Sequence, residues 1–140
     1  MSERLLYRAM RLLKLWLPVI LWAAVILSSS NDAFSSDHSG EWLEILFGPG
    51  VPDFANYLFR KATHLVVYGI LGALAWRADR RRFVALALCL LVASADEWRQ
   101  SETAARSGSA WDVLLDLIGA SIAVFIVIPW IRARLAARRT

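Results

Sequence analysis

Residues 62–97 read ATHLVVYGILGALAWRADRRRFVALALCLLVASADE, two apolar runs joined by a turn that carries four arginines within six residues. The runs, 62–76 and 83–95, are free of Lys, Arg, Asp and Glu. Cytoplasmic loops of membrane proteins carry an excess of Lys and Arg. The stretch therefore predicts two membrane-spanning helices that are joined by a short cytoplasmic turn.

The same alternation of basic, apolar and acidic zones extends over the rest of the chain. Most of the 16 Lys and Arg residues lie within 4–14, 77–82 and 132–139, whereas most of the 12 Asp and Glu residues lie within 32–53 and 96–116. Two further apolar runs, 15–29 and 117–131, complete the pattern. Because the basic zones mark the cytoplasmic side, both termini are predicted to lie in the cytoplasm.

The predicted fold is all-α, an integral membrane four-helix bundle with both termini in the cytoplasm. One multi-pass domain, 1–140, has spans at about 12–30, 60–77, 82–99 and 112–131. The net charge of +4 is explained by orientation and by contact with anionic membrane lipids, so nucleic acid is excluded as a partner. Cys89 is the only cysteine, which excludes a disulfide within the chain and a Cys-based zinc site.

The lengths of the apolar runs place charged groups at membrane depth. Each run has 13 to 15 residues, whereas a helix needs about 20 to cross the hydrocarbon core. The additional turns that the spans need on the outer side contain His64, Asp96, Glu97 and Asp116. The short side chains of these residues cannot reach far toward water. We expect these groups to face the interior of the bundle, where ionisable residues by default mark a functional site.

Helical spacing collects the outer polar residues on three faces. Lys61, His64 and Tyr68 share one face because they are three and four residues apart. Asp96, Glu97 and Gln100 end the third span, and the fourth helix carries Asp112 and Asp116 after a turn with Arg106. Ser109 and Asp112 have the spacing of a capping box, which predicts a local role for Asp112.

These residues form motifs that resemble a known family. They read H-x-x-x-Y-x-x-x-G (His64, Tyr68, Gly72), D-E-x-x-Q (Asp96, Glu97, Gln100) and R-x-G-S-x-x-D-x-x-x-D-x-x-G (Arg106, Gly108, Ser109, Asp112, Asp116, Gly119). In this order, over about residues 15–131, they resemble the VanZ-like family of bacterial membrane proteins. The resemblance implies a cell-envelope protein of the bacterial inner (cytoplasmic) membrane. Part of that family is associated with low-level resistance to the glycopeptide teicoplanin.

Several functions remain open at this stage. An enzyme acting on a lipid-linked envelope substrate would use His64 or Glu97 as general base, and Lys61 and Arg106 would hold its anionic headgroup. A non-catalytic envelope factor would bind a lipid headgroup, a peptidoglycan precursor or another membrane protein. The alternatives are a proton-coupled transporter and a purely structural network that holds the helices together. The catalytic candidates are Glu97, His64 and Asp96, and the ligand-binding candidates are Lys61, Tyr68, Gln100, Arg106, Asp112 and Asp116.

No cofactor or metal is predicted, because the chain has neither an H-x-x-x-H nor an H-E-x-x-H motif. The sequence also leaves the oligomeric state undefined. In the first outer segment, residues 41–47 place Trp42, Ile45 and Leu46 on one helical face and Glu41 and Glu44 on the other. This pattern fits either a short helix at the membrane surface, terminated by Gly48 to Pro52, or a loop with aromatic anchors.

Overall fold

The computed structural model describes residues 3–29, 36–101 and 109–138. All regular structure in these ranges is helical. The helices are α1 (Glu3–Ser29), α2 (Ser36–Phe47), α3 (Asp53–Ala78), α4 (Arg82–Ser101), α5 (Ala110–Ile122) and α6 (Ile128–Ala137), and a π-helical segment, Ala123–Val127, joins α5 to α6. The all-α prediction is confirmed for the described residues.

Three helical stretches of the described chain are long and apolar enough to cross a membrane, namely Glu3–Ser28, Asp53–Ala78 and Ala110–Ala137. With at least 26 residues each, they exceed the length needed for a hydrocarbon core of about 30 Å. The predicted third span, about 82–99, corresponds to α4. This helix is outside that set, because Asp96, Glu97 and Arg99 occupy its last turns, so the count of four spans stays a prediction.

The segment before α3 contains the short helix that the sequence suggested. This helix, α2, starts at Ser36 and contacts α3. Its described side chains differ from the predicted faces, because Leu43 is buried whereas Ile45 and Leu46 are exposed. Gly48 then ends the helix at φ +92°, a conformation that glycine adopts without steric cost.

The core lies where α1, α3, α4 and α5 meet, and small residues dominate it. Its buried members are Val19, Ile26, Tyr68, Leu71, Ala75, Ala85, Cys89, Val92, Ala93, Ala120 and Val124. A polar bond also joins α1 to α3, since the indole Nε1 of Trp22 donates to the carbonyl of Val67 at 3.0 Å. Many large apolar side chains outside this core are exposed, such as Phe83, Leu91 and Ile126, which is the surface expected of a protein surrounded by lipid.

The π-helical segment has a local cause in the sequence. Proline has no N–H, and its ring clashes with the carbonyl four residues earlier in a regular α-helix. Pro129 lies two residues after the end of the segment, so Phe125 is the residue whose carbonyl an α-helix would leave without a partner. The wider turn of Ala123–Val127 accommodates this and lets α5 and α6 continue as one apolar stretch.

Candidate functional site

The position of the site depends on a very close contact between α3 and α5. A Cβ atom built on Gly119 would lie 2.4 Å from the carbonyl oxygen of Leu65, and one built on Gly72 would lie 3.1 Å from Ala120 Cα. Gly72 follows Leu65 in α3, and its contact Ala120 follows Gly119 in α5. The two helices therefore run in the same direction. This register places Lys61 and His64 of α3 opposite the first turns of α5.

Two charged or polar pairs connect α3 to α5 above this contact. The ammonium of Lys61 bonds the carboxylate of Asp112. One turn deeper, His64 Nδ1 lies 2.9 Å from Asp116 Oδ1 in a hydrogen bond. The Asp116 side chain is 1% exposed and that of His64 is 22% exposed, so the deeper pair is largely removed from solvent. Lys61 and His64 are thus engaged by acids of the neighbouring helix.

The last turns of α4 bring two further acids to the same place. Asp96 and Glu97 are buried, and Gln100 Nε2 donates to Asp96 Oδ2 at 3.1 Å. Glu97 Oε2 accepts from the backbone N–H of Ser109 at 2.7 Å. Glu97 therefore connects α4 to the residue that caps α5.

This connection corrects the predicted capping box. Ser109 is the N-cap of α5, and its hydroxyl accepts from the N–H of Trp111 at 3.3 Å. In a capping box the acid three residues later would accept from the Ser109 N–H. Here Glu97 occupies that position, and the carboxylate of Asp112 bonds Lys61 instead. The prediction of a local role for Asp112 was wrong because a tertiary partner replaced the local one.

Tyr68 closes the inner side of the cluster. It is 1% exposed, and its ring stacks on the imidazole of His64 with a centroid distance of 6.4 Å and an interplanar angle of 11°. Its hydroxyl oxygen is buried and makes no hydrogen bond to the described part of the chain. A buried hydroxyl without a partner is costly, by about 1–3 kcal/mol.

Three carboxylate oxygens of the described chain share this condition. Besides Tyr68 Oη, the buried side-chain atoms without a hydrogen-bond partner are Asp96 Oδ1, Glu97 Oε1 and Asp116 Oδ2. Each acid thus uses one oxygen within the protein and leaves the other unbonded. We name Tyr68, Asp96, Glu97 and Asp116 the acceptor cluster. The cluster offers three carboxylate oxygens, which accept hydrogen bonds, and one hydroxyl, which can donate as well as accept, and the described side chains use none of them.

The structure brings together all the predicted site residues that it describes. They are Lys61, His64, Tyr68, Asp96, Glu97, Gln100, Asp112 and Asp116, and their individual roles stay predictions. Arg106 and Gly108 lie outside the described residues. Gly72 and Gly119, which belong to the motifs, form the helix contact below the site.

Sequence reasoning missed one polar contact at this end of the bundle. Arg99 Nη1 donates to the carbonyl of Leu27 in the last turns of α1, where a helix carries unsatisfied carbonyls and partial negative charge. The available signal was a cation two residues after Glu97, together with an apolar helix α1 whose last turn has no basic residue. In the described ranges no three His, Cys, Asp or Glu residues are arranged to hold a metal ion.

The fold and the cluster together define a class, a small helical membrane protein with a buried acidic site between its helices. The chain belongs to the VanZ/LLP1 family, since the model of that family matches residues 15–132. The resemblance seen in the sequence motifs is thereby confirmed. No curated protein and no solved structure matches the chain.

Proposed function

We propose that the chain is a four-span protein of the bacterial cytoplasmic membrane that binds the headgroup of a lipid-linked envelope molecule at its outer face. In this proposal α4 is the third of four spans, although Asp96 and Glu97 lie in its outer turns. Both side chains are buried in the bundle, so they need not face lipid. The clustering of arginine at the turn 79–82 and after residue 131 supports a cytoplasmic position for both termini.

The acceptor cluster is the observation that carries this proposal. Carboxylate oxygens accept hydrogen bonds, so a ligand that supplies donors such as ammonium, hydroxyl or amide N–H groups would satisfy these atoms. Lys61 was expected to hold an anionic headgroup, but its ammonium is bonded to Asp112. The proposed ligand is therefore rich in donors near α3, α4 and α5. Arg106 remains the predicted contact for an anionic part of the same molecule.

Acid–base catalysis on the bound headgroup is the second candidate function. The hydrogen bond between His64 and Asp116 resembles the way in which a carboxylate orients a histidine base. In such a step His64 would take a proton from the bound headgroup, and Asp116 would stabilise the imidazolium. Asp96 and Glu97 would contribute by positioning the headgroup.

The competing interpretation is a network that only fixes the helices relative to one another. Its support is that every acid of the site has one partner, namely Lys61, His64, Gln100 or the Ser109 N–H. The second oxygens of Asp96, Glu97 and Asp116 favour a ligand, because buried acceptors without a hydrogen-bond partner are uncommon in native proteins and cost stability.

A pair of isosteric changes separates the two interpretations. In Asp96→Asn with Glu97→Gln, the amide oxygens can still accept from Gln100 and from the Ser109 N–H. The unbonded acceptor oxygens, however, are replaced by NH₂ donors. The matched control is Glu41→Gln with Glu44→Gln, which removes the same charge from two exposed positions of α2.

Each protein is extracted gently from bacterial membranes, and its mass is measured by native mass spectrometry. The teicoplanin susceptibility of the expressing cells is measured at equal protein levels. We expect the parent and the control to retain a non-protein adduct of defined mass, and the site variant to lose it together with any change in susceptibility. Identical adducts and susceptibility in all three proteins would show that the cluster only connects the helices.

A further inference from the structure

A second site lies at the other end of α3, where two guanidinium groups lie on one indole ring. Arg80, in the turn after α3, places its guanidinium carbon 4.5 Å from the centroid of the Trp76 ring. Arg132 of α6 lies 5.7 Å from the same centroid. Trp76 thus holds two cations from different segments of the chain through cation–π contacts.

The two cations are not neutralised by the described protein. Among the described residues the ion pairs include no carboxylate partner for Arg80 or Arg132. Asp79 is adjacent in sequence, but Arg81 engages both of its oxygens, at 2.9 Å to Oδ1 and 2.7 Å to Oδ2. Two guanidinium groups that share one ring repel each other, and an oxyanion accepting hydrogen bonds from both would relieve that repulsion.

The surroundings favour an anion that is attached to a lipid. Arg82 lies over the ring of Phe125 at 5.0 Å and Arg134 over the ring of Trp130 at 5.1 Å. Phe83 and Trp130 next to them are 81% and 58% exposed. Guanidinium groups beside exposed aromatic rings match the membrane interface, where phosphate groups lie above glycerol and acyl chains.

We propose that Arg80 and Arg132, held on Trp76, bind the phosphate group of an anionic phospholipid. The planar guanidinium is required, because it can stack on the indole and present two N–H groups to phosphate oxygens at the same time. The site is independent of the proposed outer function. Trp76 follows His64 by 12 residues of one helix, which corresponds to about 18 Å.

Charge-conserving variants distinguish a defined phosphate site from general attraction between a basic surface and an anionic membrane. The site variant is Arg80→Lys with Arg132→Lys. Its control is Arg77→Lys with Arg138→Lys, which changes two exposed arginines at the same end of the helices. All three proteins carry the same net charge, so general attraction to an anionic membrane is equal in them.

Binding of phosphatidylglycerol in detergent micelles is followed by the shift in melting temperature, with phosphatidylcholine and inorganic phosphate as comparison ligands. We expect phosphatidylglycerol to stabilise the parent and the control equally, and the apparent Kd to rise at least tenfold in the site variant. Equal affinity of all three proteins would overturn the site. Equal stabilisation by inorganic phosphate at the same concentration would overturn the lipid as its ligand.

The ring itself provides a second test that keeps both arginines. Trp76→Leu removes the surface on which the guanidinium groups are held but preserves an apolar residue at this position. We expect several-fold weaker binding of phosphatidylglycerol in this variant. An unchanged Kd would show that Trp76 does not organise the site.

Discussion

Replacement of Gly119 by alanine should separate the two helices that carry the site. A Cβ at this position would lie 2.4 Å from the Leu65 carbonyl oxygen and 2.9 Å from Leu65 Cα. Ordinary van der Waals contact begins at about 3.4 Å. Backbone atoms cannot rotate away as a side chain can, so α3 has to move by about 1 Å relative to α5.

The same change at Gly69 provides a matched control in the partner helix. A Cβ there would lie 3.4 Å from the Gly119 carbonyl oxygen, which is an ordinary contact. Overpacking costs about 1–3 kcal/mol, whereas replacing a helical glycine by alanine contributes up to about 1 kcal/mol. We therefore expect Gly119→Ala to be destabilised by about 1–2 kcal/mol and Gly69→Ala to be unchanged or slightly more stable.

Thermal unfolding in detergent measures this difference. For a chain of this size about 1 kcal/mol corresponds to roughly 4 °C, so the melting temperature of Gly119→Ala should fall by about 4–8 °C. The separation should also lengthen the His64–Asp116 contact, now 2.9 Å, and impair any activity of the site. If both alanine variants melted at the parent temperature, the backbone contact would not exist as described.

Two further predictions concern a pair at the site and the orientation of the chain. In a double-mutant cycle, Lys61→Met and Asp112→Asn should show a coupling energy of about 1 kcal/mol, because the bonded pair is only partly exposed. Additive effects of the two changes on the melting temperature would mean that the pair does not form. In a Cys89→Ala background, Arg81→Cys and Arg138→Cys should react with a membrane-impermeant thiol reagent only from the cytoplasmic side. Glu44→Cys and Trp111→Cys should react only from the outside. The opposite pattern would refute the orientation inferred from the clusters of Lys and Arg.

Helical spacing was sufficient to predict which residues gather at the site. Lys61, His64 and Tyr68 lie on one face of α3, and helix periodicity fixes this before any tertiary contact forms. The burial of Asp96 and Asp116 also followed from simple physics. Apolar runs too short to cross a membrane require neighbouring turns to enter it, and acids there have to face the bundle interior.

The pairing of these residues could not be predicted, because it depends on the register between helices. Gly119 was part of a motif in the sequence, but only the structure shows that it contacts Leu65 and so sets Lys61 opposite Asp112. The capping box failed for the same reason. Local spacing identified an acid for the Ser109 N–H, and Glu97 of another helix proved to be the acceptor.

The phosphate site at the other end was also hidden in the sequence. The arginine cluster at 77–82 indicated how the chain is oriented in the membrane, but nothing in the spacing of the arginines distinguished Arg80 from its neighbours. Arg132 is more than 50 positions away in the chain. Their common contact with Trp76 depends on the position of α6 relative to the end of α3, which is set through the π-helical segment that contacts both helices.

The central claim is that the unbonded oxygens of the acceptor cluster serve a ligand, and Tyr68→Phe tests it most directly. This change deletes one buried atom that makes no hydrogen bond to the described chain and keeps the ring on His64. The control is Tyr57→Phe, whose residue is 56% exposed in the same helix. The measurement compares the melting temperature of the ligand-free protein with retention of the native adduct.

We expect Tyr68→Phe to melt at or above the parent temperature, because removal of an unpartnered buried hydroxyl relieves a cost of about 1–3 kcal/mol. The same variant should lose the adduct, whereas Tyr57→Phe should keep it. A lower melting temperature with the adduct retained would contradict the claim, because the Tyr68 hydroxyl would then stabilise the fold and take no part in binding.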